Sequence, residues 1–236
     1  ISSSGHLILA QYFMDINERG MLLEIILHMG TLAAILIYFR TELLKLVLDA
    51  VAGIEEAQRY VIYLAIATLP AVFAGLFFAN RIESLFMPSV VLWMLMITGL
   101  AVGSTYFIKN IDRREFSYMI VLCIGISQAF ALLPGISRSG ITISVALLMG
   151  IQHREATKFA FFMAIPALLG AGLFQIIKIE NSPQIAIFPY IIGFFSAAVA
   201  GYLVINWLLA VISKGKFYLF SLYCFTIIVI TYFLIY

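Results

Sequence analysis

Long apolar runs separated by short charged connections make up this sequence. The runs at 21–39, 60–79, 86–108, 156–178, 187–212 and 217–236 are each near the roughly 20 residues a helix needs to cross a bilayer. Hydrocarbon offers no water to backbone groups, so every N–H and C=O must pair within the chain. Helices meet that condition inside each run, whereas the weak alternation of a membrane barrel is not seen. The pattern predicts an all-α polytopic membrane protein with about six transmembrane helices.

Two segments depart from the pattern. Residues 1–16 open on Ile1-Ser2-Ser3-Ser4-Gly5-His6 and stay apolar for only a few positions. Residues 118–151 are apolar but broken by LLPGISRSG. Pro134, Gly135 and Gly140 oppose a continuous helix there, so two half-helices meeting at a polar turn are expected.

Composition agrees with a lipid solvent. The chain has 236 residues, 64% hydrophobic and 11% charged, where a soluble domain carries about 25% charged residues. A net charge of +2 gives no reason to expect nucleic acid as a partner. Cys123 and Cys224 lie in apolar runs without a CxxC pattern and are expected to be small core residues. The chain opens on Ile1, with no charged segment leading to a cleavage site. No signal peptide is therefore expected, and the sequence reads as N-terminally truncated.

The charges predict orientation. With residue 20 outside, ten Lys and Arg side chains face the cytoplasm: Arg40, Lys45, Arg59, Lys109, Arg113, Arg114, Arg154, Lys158, Lys214 and Lys216. Three, Arg19, Arg81 and Lys178, face outward. This is the positive-inside asymmetry, and it holds only if 118–151 enters the membrane and returns to the side it came from. Arg138 is left within the membrane region.

ISSSG at 1–5 and ISRSG at 136–140 match at four of five positions, 135 residues apart. The same offset lays the run at 21–39 over that at 156–178. Each repeat, about 1–115 and about 116–236 within a single membrane domain, then holds one broken re-entrant element and three spans. An odd number of spans inverts the second repeat, and inverted repeats bring their polar turns together near the midplane.

Arg138 is the most informative residue. A guanidinium at membrane depth is costly and generally functional. Here it sits among Ser137, Ser139 and Gly140 at a helix start, where N–H groups, hydroxyls and an Arg fork suit a phosphate. Ser137 and Thr142 could orient phosphate oxygens or supply a nucleophilic hydroxyl, and they could equally cap the helix. Ser2, Ser3, Ser4 and His6 form the matching turn, where His6 has the chemistry of a general acid, general base or nucleophile. Glu24, one helical turn before His28, could bind a metal or hold a cation, or could lie near the outer surface. His153, Arg154 and Glu155 are explained by topology and assigned no chemistry.

ISSSGHLIL, LEIILHMGTLAAIL, LLPGISRSGITIS and LLMGIQHREATKFAFFMAIPALLGA, in order along nearly the whole chain, resemble the undecaprenyl-diphosphate phosphatase family. It is also called the bacitracin-resistance protein BacA or UppP. The resemblance implies removal of the terminal phosphate of undecaprenyl diphosphate, regenerating the carrier lipid of peptidoglycan synthesis. It implies a bacterial cytoplasmic membrane protein with inverted repeats, two re-entrant elements and a site open to the outer face. By motif, His6 matches the active-site histidine and Ser3 a serine of the first turn. Ser137, Arg138 and Thr142 match phosphate-handling residues of the second turn. A divalent cation, magnesium or calcium, is implied as cofactor. An acidic E-x-x-x-E pair, expected to handle metal or proton transfer, belongs upstream of Ile1, and activity is expected to require it. Oligomeric state stays open, a homo-oligomer included. The rival class is a transporter or flippase of an anionic lipid or solute, which also uses inverted repeats and broken helices. A purely structural membrane subunit is the weaker rival.

Overall fold

In a computed structural model the chain is described at residues 1–15, 22–108, 114–178 and 187–235, with backbone alone at 174–178 and 187. The described residues form ten α-helices and no strand. They are α1 (Ser3–Phe13), α2 (Leu22–Tyr38), α3 (Arg40–Val51), α4 (Glu55–Glu83), α5 (Pro88–Ser104), α6 (Tyr118–Phe130), α7 (Arg138–Leu148), α8 (His153–Lys178), α9 (Ile187–Ser213) and α10 (Leu219–Ile235). A 3-10 turn, Thr105–Phe107, extends α5.

Each of the six apolar runs carries a helix. Among the described residues four helices are long and apolar enough to cross a membrane, Glu55–Glu83, Pro88–Phe107, His153–Leu173 and Phe188–Ser213, or five if the bent pair Leu22–Tyr38 and Arg40–Val51 is one span. The other two, α2 and α10, have 17 residues each. α2 is followed by α3 after a 74° bend. The apolar runs alone predict a connection over 40–59, yet α3 and the start of α4 are helical. Leu43, Leu44, Leu46, Val47 and Leu48 are too interleaved with charge for a bilayer-length run. Glu55 and Glu56 in the first turn of α4, with Arg81 in its last, complement the helix dipole. The broken segment 118–151 resolves into α6 and α7, joined by the Pro134-Gly135 turn.

α8 is the spine of the bundle. Its Phe159, Phe162 and Met163 are fully buried and join the cores that α2, α4, α6 and α7 build around them. α2 packs along α9, α4 along α6, and α5 along α10. Outward faces of α4, α9 and α10 present Phe73, Phe77, Leu203 and Phe233, a surface that suits lipid tails and not water. Two element lengths recur: α1 and α7 have 11 residues each, and α2, α5 and α10 have 17 each.

Several cationic connections gather at one end of the bundle. Arg114 N donates to Gly150 O at 3.1 Å, Gly215 lies beside His153, and Glu42 feels the charges of Lys158 and Arg154. Arg81 lies at the far end of α4, about 40 Å from Glu55 at 1.5 Å per residue. Arg19, Lys109 and Arg113 fall outside the described residues.

Candidate active site

Two turns of like construction form the site. In each, a serine caps a short helix and a glycine three residues on receives the cap. Ser137 Oγ accepts from Gly140 N at 3.1 Å, and Ser2 Oγ accepts from Gly5 N at 3.3 Å. Both are N-caps to the third N–H of the helix. A Cβ at position 140 would lie 2.8 Å from Ser137 Cβ, and one at position 5 would lie 2.9 Å from Ser2 Oγ. The shared Ser-x-x-Gly spacing is therefore a steric condition of the cap. Ser2 itself takes a left-handed conformation, φ 40, uncommon for a residue with a side chain.

The turns meet. A Cβ on Gly5 would stand 3.0 Å from Gly135 Cα, so α1 begins against the turn that opens α7. α5 backs both through Val91. Thr98 of α5 fixes the second turn: its Oγ1 accepts from Ser137 N at 3.0 Å and lies 3.1 Å from the carbonyls of Gly135 and Met94, which share its one proton. With the caps engaged, the N–H groups of Ser3 and Ser4, and those of Arg138 and Ser139, have no helix partner. Two helix N-termini thus present donors and positive dipole ends from adjoining turns.

The side chains divide into two sets. Ser2, Ser137 and Thr142 are buried. Their hydroxyls serve the helices, Ser2 and Ser137 as caps and Thr142 by donating to Arg138 O at 2.7 Å. Ser3 is exposed, while His6, Arg138, Ser139 and Ser4 are half-buried. His6 Nδ1 lies 2.8 Å from the carbonyl of Ser2. A carbonyl only accepts, so Nδ1 carries the proton. In the neutral ring Nε2 is then an acceptor, filled by the Tyr223 hydroxyl at 2.8 Å. Ser3 Oγ lies 3.1 Å from His28 Nε2, and the charge of Arg138 reaches His28. The Arg138 guanidinium has no hydrogen-bond or ion-pair partner among the described residues. Glu24 is half-buried on α2 one turn before His28 and likewise lacks such a partner there.

Sequence reasoning missed Tyr223 and Thr98, and used His28 only for its spacing from Glu24. Tyr223 is 217 residues from His6 in an unbroken apolar run, with nothing local to mark it. Among the described residues no three of His, Cys, Asp and Glu come together as a metal site.

Comparison with known proteins agrees over nearly the whole chain. A family model described as "Bacitracin resistance protein BacA" matches residues 1–230. The undecaprenyl-diphosphatase 1 of Bacillus licheniformis is 34% identical over 96% of this chain and 88% of its own. The undecaprenyl-diphosphatase of Caldicellulosiruptor bescii is 37% identical over 95% and 87%. The undecaprenyl-diphosphatase 1 of Halalkalibacterium halodurans is 36% identical over 95% and 86%. With nearly every residue inside the match, and with the SSSGH and PGISRSG turns side by side, this chain belongs to the bacitracin resistance protein BacA family.

Proposed function

We propose that this chain hydrolyses undecaprenyl diphosphate to undecaprenyl phosphate and inorganic phosphate, recycling a cell-wall carrier lipid. The observation that carries the proposal is the Arg138 guanidinium at the start of α7, without a partner among the described residues and beside a second helix start bearing Ser3 and His6. A half-buried guanidinium at membrane depth, without a counter-charge among the described residues, calls for an anion. Two helix N-termini with free N–H groups point to phosphate.

The roles follow from charge. Arg138, with the N–H groups of Arg138 and Ser139, neutralises phosphoryl oxygens, more strongly as the P–O bridge to the lipid phosphate stretches. Ser137 and Gly140 shape that cradle. Thr142, buried behind it, holds the Arg138 carbonyl and so the first turn. Ser2 holds His6 through its carbonyl and caps α1. His6, with Nδ1 bound and Nε2 facing Tyr223, is a proton carrier in this arrangement. In the net reaction water adds oxygen to the terminal phosphorus, the bridging P–O bond breaks, and the lipid monophosphate leaves.

The acidic ligands expected for the divalent cation lie upstream of Ile1, and among the described residues no metal-ligating cluster stands in for them. Hard cations take several carboxylate or carbonyl oxygens, and here Glu24 is the one nearby carboxylate. No step is routed through a metal.

The site opens to the outer leaflet of the bacterial inner membrane, the repeats about 1–115 and 116–236 lie inverted, and the lipid tail leaves between helices. The gathering of cationic connections at one end supports this orientation.

The test is phosphate release from undecaprenyl diphosphate by purified full-length protein in detergent. Release that is lost in Arg138→Ala supports the proposal. Transport needs two compartments and hydrolysis does not. No release in detergent, with headgroup movement in proteoliposomes, would establish the transporter class instead.

A further inference from the structure

We infer that His28 is the proton acceptor for Ser3, and that the two form a serine–histidine pair across α1 and α2 that transfers the phosphoryl group through Ser3. The inference rests on the phosphatase activity proposed above and adds a residue to it from α2, outside both polar turns.

Four observations support it. Ser3 Oγ and His28 Nε2 are 3.1 Å apart, the contact expected of a hydroxyl and its base. Ser3 is exposed, whereas the hydroxyls of Ser2, Ser137 and Thr142 are buried and engaged with backbone. Ser3 is thus free to meet a substrate. Third, His6 has both ring nitrogens occupied, by the Ser2 carbonyl and the Tyr223 hydroxyl, so it is the poorer candidate to attack or to serve Ser3. Fourth, Ser3 opens the helix whose Gly5 adjoins Gly135 of the Arg138 turn, and the charge of Arg138 is felt at His28.

The step balances. Ser3 Oγ bonds to the terminal phosphorus as its proton passes to His28 Nε2. The bridging P–O bond breaks and its electron pair leaves on undecaprenyl phosphate. Water then attacks the phosphoserine, loses a proton to a base, and Ser3 regains its own as inorganic phosphate departs. The proton on His28 places a second positive charge near Arg138, and the phosphoryl oxygens between them balance both.

The experiment is a double-substitution cycle in full-length protein, reading phosphate release from undecaprenyl diphosphate at matched monodispersity. Ser3→Ala, His28→Gln and the pair together are compared. His28→Gln should lower kcat about 10²-fold with little change in KM. In the Ser3→Ala background it should cost almost nothing further, because residues acting as a unit are not additive. Added imidazole should restore part of the turnover of His28→Ala and none of that of the Ser3→Ala, His28→Ala pair. Near-normal turnover in His28→Gln, an equal loss with and without Ser3, or no imidazole rescue would each overturn the inference while leaving the phosphatase proposal intact. An inactive unmodified protein would overturn both.

Discussion

Tyr223 Oη lies 2.8 Å from His6 Nε2, and the two rings stack with centroids 5.6 Å apart and planes 12° from parallel. The last helix of the chain therefore holds the histidine of the first. Stacking sets the plane of the imidazole. The Ser2 carbonyl and the Tyr223 hydroxyl set its rotation and its tautomer. Tyr223→Phe keeps the ring and removes the hydroxyl. It should lower the melting temperature in detergent by no more than about 2–4 °C, since one partly exposed hydrogen bond contributes about 1 kcal/mol. Phosphate release should fall about tenfold, the rate equivalent of about 1.4 kcal/mol. In a His6→Ala background the same substitution should have almost no effect, which a role in general packing would not produce.

Thr98 tests the second turn from behind. It is fully buried on α5 and serves Ser137 N and Gly135 O. Thr98→Val preserves shape but leaves that N–H and carbonyl without their partner. An unsatisfied buried polar group costs about 1–3 kcal/mol, so the melting temperature should drop by several degrees. Turnover should fall more than binding, because Arg138 is carried by this turn. Thr98→Ser, which restores the hydroxyl, should recover most of both. A Val variant as stable and active as the parent would remove Thr98 from the support of the site.

Much of this architecture is legible in the sequence, and the reasons are local. Apolar runs of bilayer length report helices directly, since no other backbone arrangement satisfies a single apolar run in lipid. The paired Ser-x-x-Gly turns report themselves too, because cap and glycine constrain each other within four residues. What stayed hidden depends on long-range placement. Tyr223 sits in a run of aromatic and aliphatic residues that would fit lipid contact equally well. Thr98 is one hydroxyl in an apolar helix. α3 carries no bilayer-length apolar run because Lys45 and Asp49 interrupt its apolar positions. The buried placement of Ser137 and Thr142 was also beyond the sequence, which left capping and chemistry equally open to them.

The cationic end of the bundle yields a topology prediction. Lys214 and Arg114 belong to that end and Arg81 to the other. Single cysteines at 81 and 214, in a background with Cys123 and Cys224 replaced by alanine, should differ in whole cells. An impermeant thiol reagent should label position 81 directly and position 214 only after permeabilisation. The reverse pattern would invert the orientation and put the polar turns toward the cytoplasm.

Arg138→Lys is the sharpest test of the phosphate cradle. The guanidinium stands at the first position of α7 without a protein counter-ion among the described residues. Lys keeps the charge and nearly the same helix propensity, so the protein should fold and elute as the parent does. What it loses is the planar fork that grips two oxygens at once. A single oxyanion-type contact contributes on the order of 10²–10³ in rate, and phosphate release should fall by that factor. KM should change less than kcat, because the contact strengthens as charge builds on the phosphoryl oxygens. Arg138→Gln, which keeps donors and drops the charge, should be worse still. If the Lys variant turned over within threefold of the parent, Arg138 would supply only diffuse charge. The PGISRSG turn would then no longer be the place where the terminal phosphate is held.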